Sequence, residues 1–158
     1  MNAAGENQPN DRAVQDGGAA SVLGSCKAIC NYIEYMRNKG INVEIDVEVF
    51  QCEKGFRYGN SQREVTNLCC MLPTFIGGKK QKILCYVIKG DAPILIGRPL
   101  MKKPNMVIDY AADLYLSGDN TWKPLDLGPK GEHIIHLMED YTLKDDTSEP
   151  QILMPVDF

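Results

Sequence analysis

The stretch Ala13-Val14-Gln15-Asp16-Gly17-Gly18-Ala19-Ala20-Ser21-Val22-Leu23-Gly24 limits most what this chain can become. A short apolar lead-in runs into an acidic residue, two glycines and several small residues, and the apolar character returns at Val22-Leu23. The pattern reads as a strand entering a tight turn. Glycine tolerates backbone geometry closed to other residues, so such a turn can present the Asp16 carboxylate close to backbone N–H groups. A second stretch answers it far along the chain: Ala92-Pro93-Ile94-Leu95-Ile96-Gly97-Arg98-Pro99-Leu100-Met101. There an apolar strand ends in Gly97, and Arg98-Pro99 opens a short helix, because proline suits a first helical turn.

Between and around these stretches the pattern predicts a mainly β chain. Ser25 can cap a helix from Cys26 to about Lys39, with Ile29, Ile33 and Met36 on one face and Gly40 just past its end. Ile41 to Val49 alternates without error, odd positions apolar and even positions polar, which predicts a strand with one wet face. Gln51-Cys52-Glu53-Lys54-Gly55 then reads as a turn, and Phe56 to Asn60 as the returning strand of a hairpin. Val65 to Pro73 and Lys82 to Ile88 read as strands joined at Gly77-Gly78, and Leu114-Tyr115-Leu116 and His133 to Leu137 as further strands.

Length and charge bound the function. At 158 residues and 44% hydrophobic, the chain suits one domain with a core and some flanking sequence. Residues 1–12 are polar and read as a disordered lead, and 139–158 as an acidic flexible tail. A net charge of −4 argues against nucleic-acid binding through a basic surface. No run approaches the ~18 apolar residues that cross a bilayer, and no apolar leader marks a secretory signal. The six cysteines (Cys26, Cys30, Cys52, Cys69, Cys70 and Cys85) are therefore expected to be reduced thiols in an intracellular, cytoplasmic setting.

Together the two glycine-ended stretches resemble the retropepsins, the aspartic proteases of retroviruses and LTR retrotransposons. The resemblance spans roughly Ala13 to Tyr110, more loosely to Leu137. Asp16-Gly17-Gly18-Ala19 stands where the family has Asp-Thr/Ser-Gly-Ala, and Ile94 to Arg98 through Val107-Ile108-Asp109-Tyr110 looks like the family's second half. It implies an all-β fold with one or two short helices over residues 13–138: a half-barrel with a closed sheet and ψ-loop motifs. It implies Asp16 as the catalytic carboxylate, supported by Gly17, Gly18 and Ala19, with Ile96, Gly97 and Arg98 as second-motif and dimer support. The hairpin at Gln51, Cys52, Glu53, Lys54 and Gly55 falls where the family carries its flap; an ordinary surface hairpin is the other reading. Asp16 as a turn aspartate and Arg98 as a solvated helix-start residue are likewise the plainer alternatives.

Hydrolysis by this chemistry needs two carboxylates sharing a water, one protonated and one acting as base. One chain supplies one, so the resemblance implies a homodimer acting on a peptide or on its own polyprotein, with no cofactor, metal, nucleic acid or membrane. The chain departs from the family at Gly17, which lacks the hydroxyl that braces the two catalytic loops. It departs again before the loop, where little more than Ala13-Val14-Gln15 stands for a strand pair. The latter fits a fragment of a longer polyprotein or a decayed copy. Two functions follow: an active retrotransposon-type endopeptidase, or a weak or inactive remnant serving as a dimerisation or binding module. A zinc site from Cys26, Cys30, His133 and His136 lacks standard spacing, and no local signature supports a cysteine–histidine hydrolase.

Overall fold

The computed structural model describes residues 8–16, 19, 21–57, 62–76, 79–97, 107–116, 120–139 and 151–153. In chain order these form β1 (Arg12–Asp16), β2 (Val22–Ser25), α1 (Cys26–Asn38), α2 (Val43–Asp46), β3 (Glu48–Arg57), β4 (Arg63–Ile76), β5 (Lys79–Ile88) and β6 (Ile94–Gly97). There follow β7 (Ile108–Asp109), β8 (Leu114–Leu116), β9 (Trp122–Pro124), β10 (Asp126–Leu127), β11 (His133–His136) and β12 (Gln151–Leu153). The expected mainly β class is what these residues adopt, with the helix expected from Cys26 and a short second one where a strand was expected. The helix expected after Arg98 lies outside them, as does the Gly77-Gly78 turn.

The large sheet runs β10-β11-β1-β6-β2-β5-β4-β3, with β12 also paired to β5, and β7, β8 and β9 form a second sheet. Among the described residues β10 and β3 end that order unpaired on their outer sides, so the sheet they form is open where a closed one was expected. β1 and β2 are consecutive in the chain yet are not neighbours. β6 lies between them, parallel to β1 and antiparallel to β2, which is a ψ arrangement. α1 packs on β2 and β5, burying Ile29, Tyr32 and Met36 against Leu72, Ile83 and Cys85, while Ile33 is only partly covered. The Tyr32 hydroxyl donates to the Pro73 carbonyl at 2.5 Å, so its one polar atom is satisfied in the core.

The end of α1 explains the first departure from expectation. Gly40, at φ 91°, donates to the Arg37 carbonyl, and Ile41 donates to that of Met36. This is a Schellman exit, and it seats Ile41 against Met36. The chain then takes one helical turn at α2, not the strand predicted over Ile41 to Val49, with Ile45 and Asp46 donating to Asn42. A four-residue spacing puts Val43 and Val47 on one side of a helical turn as well as of a strand. Both face the core, whereas Ile45 is 71% exposed.

The second departure is the hairpin. Gln51 to Gly55 is not a turn: it lies within β3, which runs on to Arg57 and pairs with β4 from Glu48↔Met71 to Arg57↔Arg63. The register shifts between Gln51 and Lys54, so the polar, glycine-ended segment marks a bulge. Both flanks also carry more order than expected. Asp11, inside the predicted disordered lead, is buried and accepts from the Met138 N–H, and its carbonyl accepts from Leu137. Gln151–Leu153, inside the predicted flexible tail, pairs in parallel with Gln81–Ile83 of β5.

No helix among the described residues is long and apolar enough to cross a membrane.

Candidate active site

The two glycine-ended stretches are neighbours in space. β1 and β6 pair in parallel with Ala13 opposite Ile94, Val14 opposite Leu95, Gln15 opposite Ile96 and Asp16 opposite Gly97. Both strands therefore deliver their last residues to the same end of the sheet. The Asp16 carbonyl accepts from the Ala19 N–H at 3.1 Å. The Ala19 backbone lies directly against Gly97. A Cβ built on Gly97 would stand 1.8 Å from the Ala19 carbonyl oxygen and 2.7 Å from its carbon, closer than any real contact. The second motif thus ends in glycine because the backbone of the first occupies the space a side chain needs. Asp16 is partly buried here, and Ile96 is fully buried and belongs to the core. Gly17, Gly18 and Arg98, the remaining residues assigned to this site, lie outside the described residues.

Comparison with protein-family models, curated proteins and solved structures finds no match. The site rests on its own geometry.

Ser25 holds the other side of the ψ arrangement. Its hydroxyl accepts from the Ala28 N–H at 3.1 Å, capping α1, and donates to the Ala92 carbonyl at 2.7 Å. The Ser25 N–H donates to the same carbonyl at 3.2 Å. One residue therefore ends β2, starts α1 and fixes the lead into β6. Gly24 beside it is close-packed, its would-be Cβ 3.1 Å from Ile94 Cγ1 and 3.3 Å from Ile29 Cγ1.

The residues offered as a flap do not gather over Asp16 as a loop tip. Within β3, Cys52 and Lys54 face partly buried surroundings, with the Lys54 ammonium 5.9 Å from the centre of the Tyr86 ring. Gln51, Glu53 and Gly55 are exposed. The β3–β4 pairing continues past these residues to Arg57 opposite Arg63.

Three networks around the site were not readable in the sequence. The Gln15 amide, next to Asp16, donates to the Tyr110 hydroxyl at 2.6 Å. The Tyr110 ring lies 5.2 Å from that of His133, which bonds Asp113 at 2.9 Å. These contacts tie the second sheet to the end of β1. At the other end of β1, His136 sits between Asp11 at 2.9 Å and Asp126 at 2.6 Å. The Asp11 hydrogen bond, followed by that of Asp126, raises the imidazole from 6.5 to about 9 against the opposing cost of burial. No sequence spacing joins Asp11 to His136, since they meet only through the β1–β11 pairing.

The third network is a deficit. Gln81 in β5 is fully buried, and among the described residues neither its amide nitrogen nor its amide oxygen has a hydrogen-bond partner.

The histidines are thus engaged with carboxylates, and the cysteine pair Cys26–Cys30 is not gathered with them. Among the described residues no three His, Cys, Asp or Glu side chains are placed to hold a metal. All six cysteines are free thiols. Burial and then the Cys52 hydrogen bond hold Cys69 at about 11, and the Cys70 hydrogen bond and burial push Cys85 well above the ordinary thiol range. Both stay protonated near neutrality, which suits core residues and not nucleophiles.

Proposed function

We propose that the chain is an aspartic endopeptidase domain of retropepsin type, working as a homodimer in which Asp16 of each copy supplies one carboxylate. The observation that carries this reading is the parallel pairing of β1 and β6, which sets Asp16 opposite Gly97 with the Ala19 backbone lying on that glycine. A carboxylate at a strand end, braced by a second glycine-ended strand inside a ψ arrangement, is what the proposed chemistry needs for a rigid pair at a two-fold axis. The paired acids share a proton: one activates water and the other protonates the scissile carbonyl. The substrate class is an extended peptide within a polyprotein. Six free thiols accord with an intracellular, cytoplasmic setting for that work.

Position 17 favours a second reading. Glycine cannot make the cross-loop hydrogen bond that Thr or Ser makes in the family, so a weak or inactive dimerisation module keeps the fold without the rate. Cleavage of a peptide pool at mildly acid pH, with and without a pepstatin-type inhibitor, separates the two. The enzyme reading expects inhibitable cleavage that falls about a hundredfold or more in Asp16→Asn, whose amide cannot act as a base. Cleavage that survives Asp16→Asn removes Asp16 from the chemistry. A wild type that dimerises in sedimentation yet cleaves nothing, while Gly17→Thr gains activity, supports the second reading.

A further inference from the structure

We propose that Cys26 and Cys30 form half of a tetrahedral thiolate site for a zinc-like divalent ion, completed by the same pair from a second copy of the chain. The two residues occupy the first turns of α1, four apart, so they lie on one face. Their sulfurs are 3.9 Å apart, and both residues are exposed. Two thiolates at corners of a tetrahedron around zinc, each about 2.3 Å from the metal, are about 3.8 Å apart. The sulfurs therefore already stand at the span of a shared tetrahedral ion. A disulfide needs the Cβ atoms about 3.5–4.5 Å apart, whereas helical residues at this spacing hold them about 5–6 Å apart. The helix thus favours an ion between the sulfurs over a bond between them.

The described residues of one chain do not finish the site. Among the described residues no third His, Cys, Asp or Glu joins the pair. A structural zinc ion takes four protein ligands, and an exposed pair on a helix face leaves the other two corners open to a second molecule. The same pair from another copy supplies them with two-fold symmetry. Charge supports this occupant. Four thiolates around a divalent cation carry a net −2, and Lys27, exposed on α1 between the two cysteines in sequence, brings one positive charge per copy. Cys26 is the first residue of a 13-residue helix, whose positive end favours a thiolate there, while burial and the neighbouring Cys26 push the Cys30 thiol up, a cost that the divalent ion offsets.

This contact is separate from the one in the proposed enzyme. β2 runs from Val22, on the side of the loop after Asp16, to Ser25, which caps α1. Four extended residues put the cysteine pair about 10 Å farther down the sheet than that loop. The inference does not rest on the proposed activity.

Cadmium is the probe, because thiolate binding gives an ultraviolet charge-transfer band. The chelator-treated full chain is titrated with cadmium alone while its mass is followed by sedimentation. The expected result is saturation at one ion per two chains, with the mass of the metal-free species doubling. Cys26→Ser and Cys30→Ser should each weaken binding roughly a hundredfold or more and abolish the doubling, while Cys52→Ser should behave as wild type. Circular dichroism confirms that each variant keeps its fold. Saturation without a change in mass, or serine variants at 26 and 30 that titrate like wild type, overturns the proposal.

Discussion

Gly97 and Gly55 lie in the same sheet, and a single methyl group separates their circumstances. At Gly97 it would collide with the backbone of Ala19 at 1.8 Å, while at Gly55 it would meet nothing within 4 Å. The strands around Gly97 are covered on the face that carries Ile94 and Ile96, both all but inaccessible, while Leu95 on the other face is partly buried. β3, which carries Gly55, is an edge strand whose neighbours Val49 and Val65 are 64% and 65% exposed. The centre is fixed by backbone against backbone, so one atom decides what is allowed. The edge is fixed by little more than a ladder of hydrogen bonds on one side, and many sequences satisfy it.

The largest expected effect tests the centre. Gly97→Ala should destabilise the fold by about 3 kcal/mol or more, since the clash is with main chain that cannot rotate away. Urea unfolding followed by circular dichroism measures it. A loss under about 1 kcal/mol would mean that the loop after Asp16 moves freely off β6, and the rigid brace at the candidate site would go with it.

This contrast also decides what the sequence disclosed. The second glycine-ended stretch was legible because Gly97 answers a steric demand, and such a demand admits one residue type. The helix from Cys26 was legible because Ser25 and Gly40 mark its ends and its apolar spacing fits one face. The segment from Ile41 to Gly55 was not. Its alternation suits a strand, but Val43 and Val47 also suit a helical turn, and the Schellman exit at Gly40 decides between them by where it leaves Ile41. The polar run ending in Gly55 carries turn residues without a turn, because an exposed edge with a bulge tolerates them. The Asp11–His136 contact and the buried Gln81 were invisible for another reason: they depend on strand pairings between distant parts of the chain.

His136 sharpens the comparison toward the opposite edge of the sheet, where a charged pair ties β11 to the lead into β1. Its pKa is raised from 6.5 to about 9. The associated stability is therefore fully present below pH 6.5 and is lost as the pH rises through about 9. The imidazole is about one-third exposed, so solvent screening reduces the contribution to on the order of 1–2 kcal/mol. Unfolding free energies from urea titrations at pH 6 and pH 10 should differ for wild type by that amount more than for His136→Ala. Equal slopes in the two proteins would show that the pair with Asp11 contributes nothing.

Gln81 tests whether the centre is uniformly well made. A buried amide without partners costs roughly 1–3 kcal/mol relative to a satisfied one. Gln81→Met keeps the length and removes the polar atoms, and it should raise stability by about 1 kcal/mol. A decrease would mean that the amide is hydrogen-bonded in solution, by an internal water or by a shifted β12, whose Gln151 lies opposite Gln81 in register.

The smallest effect belongs to the edge. Gly55 lies inside β3, opposite Val65, with open space around it and no positive φ that would require glycine. Glycine within a strand costs roughly 0.5–1 kcal/mol relative to alanine, because the unfolded chain loses more freedom on ordering. Gly55→Ala should therefore stabilise the protein by about 0.5 kcal/mol, the opposite sign to Gly97→Ala. The predicted turn at Gln51 to Gly55 makes the opposite forecast, since a turn glycine resists substitution when its backbone needs freedom that alanine lacks. The same urea measurement, made on both variants side by side, decides it. A loss at position 55 as large as that at position 97 would put a turn back where the bulge now stands and would return the flap assignment to Gln51 through Gly55.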